Sequence, residues 1–381
     1  MRLALKNNID TSIILGSLVG LVIAYPSPPY YLFAFAALVI SLSILKFKNT
    51  TFNIFYVVAI GLCIIFSIAS NLKSDYKDQI SLSSALMSSF FYVFFLFGFG
   101  VRDPIKFLSG YSNIMLIVSV YIIGLLLILQ PFNSGLLMFV YPHLRMWGAD
   151  YISDWPNFIG FGLSVSFLIN WLVLKKYNWA IINIIAALVT TSRIGIMAIA
   201  LIIFFKLLKN PIRFVKHLTF IGLFVLIVLI VITQFDIKVQ ELDQFLLRLN
   251  KKGDRELLYG FMFNDLYLNN MFLGIGSVKM SSFKMTFTTS SFHNSYLEIL
   301  VRFGTITIIP YLVLIFPRNM FKIKTNKLLF DNSYLLLCAF FLVSAFFQNI
   351  LKHPHYLMLY SVIIIKNKEI ISYANSLNKV N

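Results

Sequence analysis

The sequence predicts an all-α bundle of membrane-spanning helices, about twelve of them, and three observations carry that expectation. Charge is scarce: the 381 residues are 59% hydrophobic and 12% charged, where a soluble domain holds roughly 25% charged residues. The mean hydropathy of +0.82 agrees. The apolar runs are continuous and roughly as long as a helix needs to cross a bilayer, about 15–23 residues. Basic residues gather in alternate connections, as they do where they fix the orientation of membrane helices. Lipid offers no partner to backbone N–H and C=O groups, so only helices or closed barrels cross it. Barrel strands would alternate apolar and polar residues over short stretches, and these runs do not.

Taken in order, the runs fall near 11–25, 30–45, 52–70, 82–101, 113–131, 157–174, 179–192, 194–208, 218–234, 293–316, 333–350 and 355–365. The first begins behind Arg2 and Lys6. The stretch after it, Ala24 to Pro29, lacks a small-residue cleavage site, so an uncleaved anchor is expected. With the N-terminus inside, the inner connections carry Lys46 and Lys48, Arg102 and Lys106, Lys175 and Lys176, Lys206 to Lys216, Arg318 to Lys327, and Lys366 and Lys368. The short outer loops are nearly bare: Pro26 to Pro29 has no basic residue, and Lys73 and Lys77 are balanced by Asp75 and Asp78. An even number of spans then puts both termini in the cytoplasm. The net charge of +17 is explained by this bias, and no basic-aromatic stripe suggests nucleic acid. Cys63 and Cys338 lie inside apolar runs and read as small core residues, with neither disulfide nor zinc spacing.

The chain reads as one transmembrane domain, 1–381, interrupted by two longer outer segments, 132–156 and 235–292. Connections beyond roughly 12–15 residues are usually functional or disordered. In 235–292, Val239, Leu242, Phe245, Leu246 and Leu249 recur at helical spacing among polar residues, which predicts an amphipathic helix on the membrane surface. A second helix is expected from Asp254 to about Asn269, broken by Leu273-Gly274-Ile275-Gly276.

The residues able to carry chemistry cluster at this outer side. Arg193 lies in Thr191-Ser192-Arg193-Ile194-Gly195 between two runs. A snorkelling helix-end Arg is the bland account, while Thr190, Thr191 and Ser192 favour a polar pocket. Arg255, in Gly253-Asp254-Arg255-Glu256, and Arg145 would alone be ordinary solvated charges. His293 follows Thr288-Thr289-Ser290-Ser291 and opens a spanning helix, with Asn294 next to it. Glu298 and Arg302 lie deeper at i,i+4, in the order that favours an ion pair within the helix. At about 100° per residue, Glu298 and Arg302 fall about 140° and 180° round from His293, away from its face. Gly274-Ile275-Gly276-Ser277 lacks the Lys of a phosphate-binding loop, which argues against nucleotide binding.

Together these motifs resemble the O-antigen polymerase and O-antigen ligase superfamily of bacterial envelope enzymes. His293-Asn294, then Gly304 and Thr307, matches the family's His-Asn … Gly pattern opening a late helix. Ser192-Arg193-Ile194-Gly195 is similar to its Ser-Arg-x-Gly. Gly253-Asp254-Arg255 followed by Leu273-Gly274-Ile275-Gly276 is similar to its Arg, helix, Leu-Gly-x-Gly loop. Arg145-Met146-Trp147-Gly148 with Pro156-Asn157 is similar to an earlier loop. The likeness covers about 140–310, and the departure is Thr307, where many relatives carry Gly.

The resemblance implies a glycosyltransferase of the inner membrane with its active site on the periplasmic side. The donor would be an undecaprenyl-diphosphate-linked oligosaccharide, and the acceptor a sugar hydroxyl of a second lipid-linked glycan. In a ligase the acceptor would be lipid A-core instead. Polymerase is the preferred reading, ligase the alternative, and a flippase of lipid-linked sugar the rival from another class, expected to show repeated halves and discontinuous helices. Arg193 and Arg255, with Arg145 behind them, would bind the diphosphate by bidentate bonds. His293 would deprotonate or orient the acceptor hydroxyl, and Asn294 would contact substrate. No cofactor and no metal are expected. Membrane lipid is an expected partner, as are a chain-length regulator and a flippase, and nucleic acid is not.

Overall fold

The computed structural model describes residues 10–24, 30–43, 54–129, 155–190, 197–201, 259–278, 294–316, 333–347 and 350–380. The described residues are helical or turn throughout, without strands. The helices are α1 (Thr11–Ala24), α2 (Tyr30–Ser43), α3 (Ile54–Lys73), α4 (Leu82–Gly100, tightening to a 3₁₀ turn over Phe91–Leu96), α5 (Pro104–Leu129), α6 (Trp155–Leu168), α7 (Tyr177–Val189), α8 (Ser295–Ile315), α9 (Ser333–Phe347), α10 (Pro354–Ile365) and α11 (Asn367–Val380). The run at 218–234 and the surface helix expected from Val239 lie outside the described residues.

Among the described residues, four helices are long and apolar enough to cross a membrane: α3, α4, α5 and α8. Six further apolar helices have 10–17 residues. The expected count of about twelve spans is therefore not established. A 14-residue helix rises about 21 Å, short of a hydrocarbon core of about 30 Å. The fifth run also starts earlier than its apolar residues suggest. Asp103 Oδ1 accepts from the N–H groups of Ile105 and Lys106, each at 3.0 Å, and Pro104 takes the first helical position. An Asp-Pro pair is a helix start by itself.

The distribution of side chains is that of a bundle in lipid. Leu32, Phe33, Phe35, Ile65 and Ile117 face outward, while the interior holds fully buried tyrosines and a seam of serine and asparagine. Three of the phenols are tied to carbonyls of other segments: Tyr111 to Gly162 (2.8 Å), Tyr356 to Phe158 (2.6 Å) and Tyr360 to Ile315 (2.7 Å). Between α5, α6 with its continuation Ile169–Leu174, and α7, Ser112 donates to Asn170 Oδ1 (2.9 Å), Ser119 donates to Asn183 Oδ1 (2.7 Å), and Asn183 Nδ2 donates to Ser166 Oγ (2.6 Å). Apolar packing against lipid provides little drive for helix association, so small residues and such polar bonds hold the helices together. The α1–α5 contact shows the small-residue device. A Cβ on Gly16 would lie 2.0 Å from the Phe107 carbonyl oxygen, and one on Gly110 would lie 2.3 Å from that of Ile13.

Candidate functional site

The His-Asn motif leads into α8. Asn294 has extended backbone (φ −150°, ψ 111°), and its side-chain oxygen accepts from the N–H groups of Tyr296 and Leu297, each at 3.0 Å. Asn294 is therefore the N-cap of α8, which satisfies two amides that have no partner within the helix. Ser295 is the first helical residue, so the helical angles counted from His293 do not apply: the extended Asn294 intervenes. One turn on, Arg302 Nε lies 2.8 Å from Glu298 Oε1, with side chains only 12% and 3% exposed. The i,i+4 pair closes within the helix as its spacing suggests.

The helix is then interrupted. Gly304 has φ 72° and ψ 179°, a combination essentially confined to glycine. A helix broken in its middle leaves carbonyls on one side and N–H groups on the other without their ladder partners. The segment Met271–Ser277 supplies replacements. Ile275 N–H donates to Val301 (3.0 Å) and Gly276 N–H to Arg302 (2.7 Å). Across the break, Thr305 N–H donates to Met271 (2.9 Å) and Ile306 N–H to Phe272 (3.4 Å). Thr307 Oγ1 donates to the Phe303 carbonyl at 2.8 Å. A threonine hydroxyl bonded to the i−4 carbonyl is an ordinary arrangement within a helix.

Two glycines let this plug approach so closely. Gly274 has φ 70°, and a Cβ there would sit 2.5 Å from the Arg302 carbonyl; one on Gly304 would sit 2.0 Å from the Phe272 carbonyl oxygen. The plug follows the helical stretch 259–270, which matches the second loop helix expected to end near Asn269. Met262, Leu266, Ile275, Val278 and Val301 form a small apolar core of its own. The ends of α3 and α4 hold the other side of the plug. Ser70 Oγ donates to the Arg302 carbonyl (2.7 Å), Asn71 Oδ1 accepts from Ser277 N–H (2.8 Å), and Ser74 Oγ donates to the Ile275 carbonyl. Ser84 Oγ donates to the Ser277 carbonyl (3.0 Å), and Ser88 and Ser277 share a hydroxyl bond. The 71–74 and 84–88 residues carried no motif in the sequence, and only their high serine content marks them.

At the Asn294 end the starts of three helices meet. Leu351 N–H donates to Ser295 Oγ at 3.3 Å. The next turn places His353 at the N-cap of α10, its ring 4.4 Å from that of Phe158 near the start of α6. His355 follows, its ring 5.6 Å from that of His353 and 4.4 Å from that of Tyr356, tilted at 58°. Sequence reading passed over both histidines because they border an apolar run.

Of the residues expected to act, Asn294 is described, and Arg145, Arg193, Arg255 and His293 lie outside the described residues. The structure brings together the loop glycines Gly274 and Gly276, the helix glycine Gly304 and the Glu298–Arg302 pair.

Residues 179–312 match the family model described as O-antigen ligase. The match spans about a third of the chain, from α7 through the plug to the second half of α8, and supports the polymerase and ligase superfamily that the motifs suggest. No curated protein matches the chain.

Proposed function

We propose, on the premise of membership in the O-antigen polymerase and ligase superfamily that this match supports, that the chain is a surface-polysaccharide polymerase. It transfers a glycan from undecaprenyl diphosphate to a sugar hydroxyl of another lipid-linked glycan at the periplasmic face of the inner membrane. The observation that supports this best is the 179–312 match: one continuous segment contains Arg193, Arg255, the Gly274–Gly276 plug and His293, and the plug locks into α8 about two turns beyond the His-Asn motif.

In this reading Arg193 and Arg255, with Arg145 behind them, bind the diphosphate. A guanidinium offers a planar fork to phosphate oxygens and stabilises the charge that develops as the leaving group departs. His293 deprotonates or orients the acceptor hydroxyl. The Asn294 oxygen is taken up by its cap, so substrate contact from Asn294 runs through its NH₂ group. A chain-length regulator and a flippase are the partners such an enzyme works beside.

The flippase reading loses support at α8. Discontinuous helices in transporters present open backbone groups to the cargo. In α8 the groups at the break are bonded by Met271, Phe272, Ile275, Gly276 and Thr307. The ligase reading stands second, because the matching family is described by that activity.

A deletion strain separates the three. Loss of a polymerase leaves single repeat units on lipid A-core. Loss of a ligase leaves polymer on the lipid carrier, and loss of a flippase leaves unextended lipid-linked units inside. Carrier-bound full-length polymer in the deletion strain would refute the polymerase reading.

A further inference from the structure

We propose that the helical stretch 259–270 and the turn after it seat an apolar face in the lipid leaflet at the Asn294 end of α8, with Phe263, Leu268, Met271 and Phe272 in contact with lipid. The inference stands whichever reaction the chain performs. Three observations carry it. The first is how the stretch sorts its side chains. Met262 and Leu266 are buried in the small core beside the plug. Asp265 and Asn269 are exposed one turn apart, with Asn269 Nδ2 donating to the Asp265 carbonyl at 2.7 Å. Phe263, Leu268 and Met271 are each at least 40% exposed, and Phe272 is 70% exposed. A contiguous group of large exposed apolar side chains beside a polar face marks a surface that meets something other than water.

The second observation is continuity with α8. The Phe263 ring lies 5.3 Å from that of Tyr267, whose phenol shares a hydroxyl bond with Thr305 at 2.9 Å. The Met271 carbonyl accepts from both the N–H and the hydroxyl of Thr305, and the Phe272 carbonyl accepts from Ile306 N–H. Ile309 and Val313 follow Thr305 at four-residue steps, 60% and 45% exposed, on a helix long and apolar enough to cross a membrane. The apolar face thus extends the lipid-facing stripe of α8. The third observation is its level, which α3 sets. Ser70 and Ser74 of this end of α3 bond the Arg302 and Ile275 carbonyls, and around them the chain becomes charged and exposed at Lys73, Asp75, Lys77 and Asp78. The plug therefore lies where an apolar helix gives way to charge, the depth of lipid headgroups. A segment there with one apolar and one polar face lies in the interface plane, and a phenol such as that of Tyr267 suits the same level.

The test is site-directed spin labelling of the full-length protein reconstituted in phospholipid vesicles, comparing collision with lipid-soluble oxygen against collision with a water-soluble nickel chelate. Single cysteines replace Phe263, Leu268 or Phe272 on the apolar face and Asp265 or Asn269 on the polar face. Ile309→Cys is the lipid reference and Lys77→Cys the aqueous one. The native Cys63 and Cys338 are buried, and labelling of the parental protein corrects for them. The oxygen-to-nickel ratio should be several-fold higher in Phe263→Cys, Leu268→Cys and Phe272→Cys than in Asp265→Cys and Asn269→Cys, approaching that of Ile309→Cys. Three separate apolar positions keep the result readable where one variant does not accumulate. Ratios at those positions equal to that of Lys77→Cys would overturn the inference, because the face would then meet water. Low access to both reagents would overturn it too, since protein, such as a second copy of the chain, would then cover the face.

Discussion

Replacing Gly304 by alanine should unseat the plug from α8. The backbone at Gly304 (φ 72°, ψ 179°) costs a residue with a side chain on the order of 1–3 kcal/mol. The new Cβ would also lie 2.0 Å from the Phe272 oxygen, 2.3 Å from its carbonyl carbon and 2.6 Å from Leu273 N. These are backbone atoms and cannot swing aside. Withdrawing the loop sacrifices the bonds from Thr305 N–H to Met271 and from Ile306 N–H to Phe272, each worth about 0.5–1.5 kcal/mol. Together the change should cost about 2–6 kcal/mol, a large part of a typical stability of 5–15 kcal/mol. Gly61, inside α3, is the control: a Cβ there meets nothing within 4 Å, so Gly61→Ala should be neutral or stabilising by up to about 1 kcal/mol. The assay is the apparent unfolding midpoint of each detergent-purified variant, with membrane abundance alongside. Gly304→Ala should lower the midpoint by about 2–8 °C, or fail to accumulate. Equal midpoints for Gly304→Ala and the parental protein would refute the plugged-break account.

Glu298→Ala strands the buried Arg302 charge and should destabilise by about 3–5 kcal/mol, with partial recovery in Glu298→Ala/Arg302→Ala; abundance lower in the double variant than in the single one would contradict the pairing. Gly16→Val should separate α1 from α5, because the Phe107 carbonyl oxygen would lie 2.0 Å from the new Cβ, and a cysteine crosslink between the two helices should weaken accordingly. Arg193→Ala and Arg255→Ala should each abolish glycan extension at normal abundance, with Lys restoring at most part because an ammonium lacks the fork; full extension in either Ala variant removes that residue from the site. Reporter fusions after Lys48, Lys209 and Lys327 should read cytoplasmic and a fusion after Lys251 periplasmic, while a cytoplasmic signal at Lys251 would reverse the proposed side.

The helices themselves were legible because lipid imposes a simple rule, long apolar runs, and α1, α3, α4 and α8 fall within a few residues of theirs. Boundaries slipped where a cap outweighs hydropathy, as at Asp103-Pro104. The break in α8 was hidden for a different reason. Gly304 reads as an ordinary helix glycine, since its φ depends on a segment some thirty residues earlier occupying the gap. Leu273-Gly274-Ile275-Gly276 was readable as a helix-breaking loop, but its insertion between Val301 and Ile306 is a tertiary fact with no local signature. The serine collar of α3 and α4 was equally silent: Ser70, Asn71 and Ser74 are unremarkable at a helix end until the plug is there to receive their bonds.

The proposed function requires that this chain itself make the glycosidic bond. The direct measurement is release of undecaprenyl diphosphate by the purified, reconstituted protein supplied with its lipid-linked glycan. One diphosphate lipid should be released for each bond formed, with glycan length growing in step and both lost in His293→Ala. Lipid-linked glycan moving across the vesicle membrane, with no lipid released and no chain extended, would contradict it.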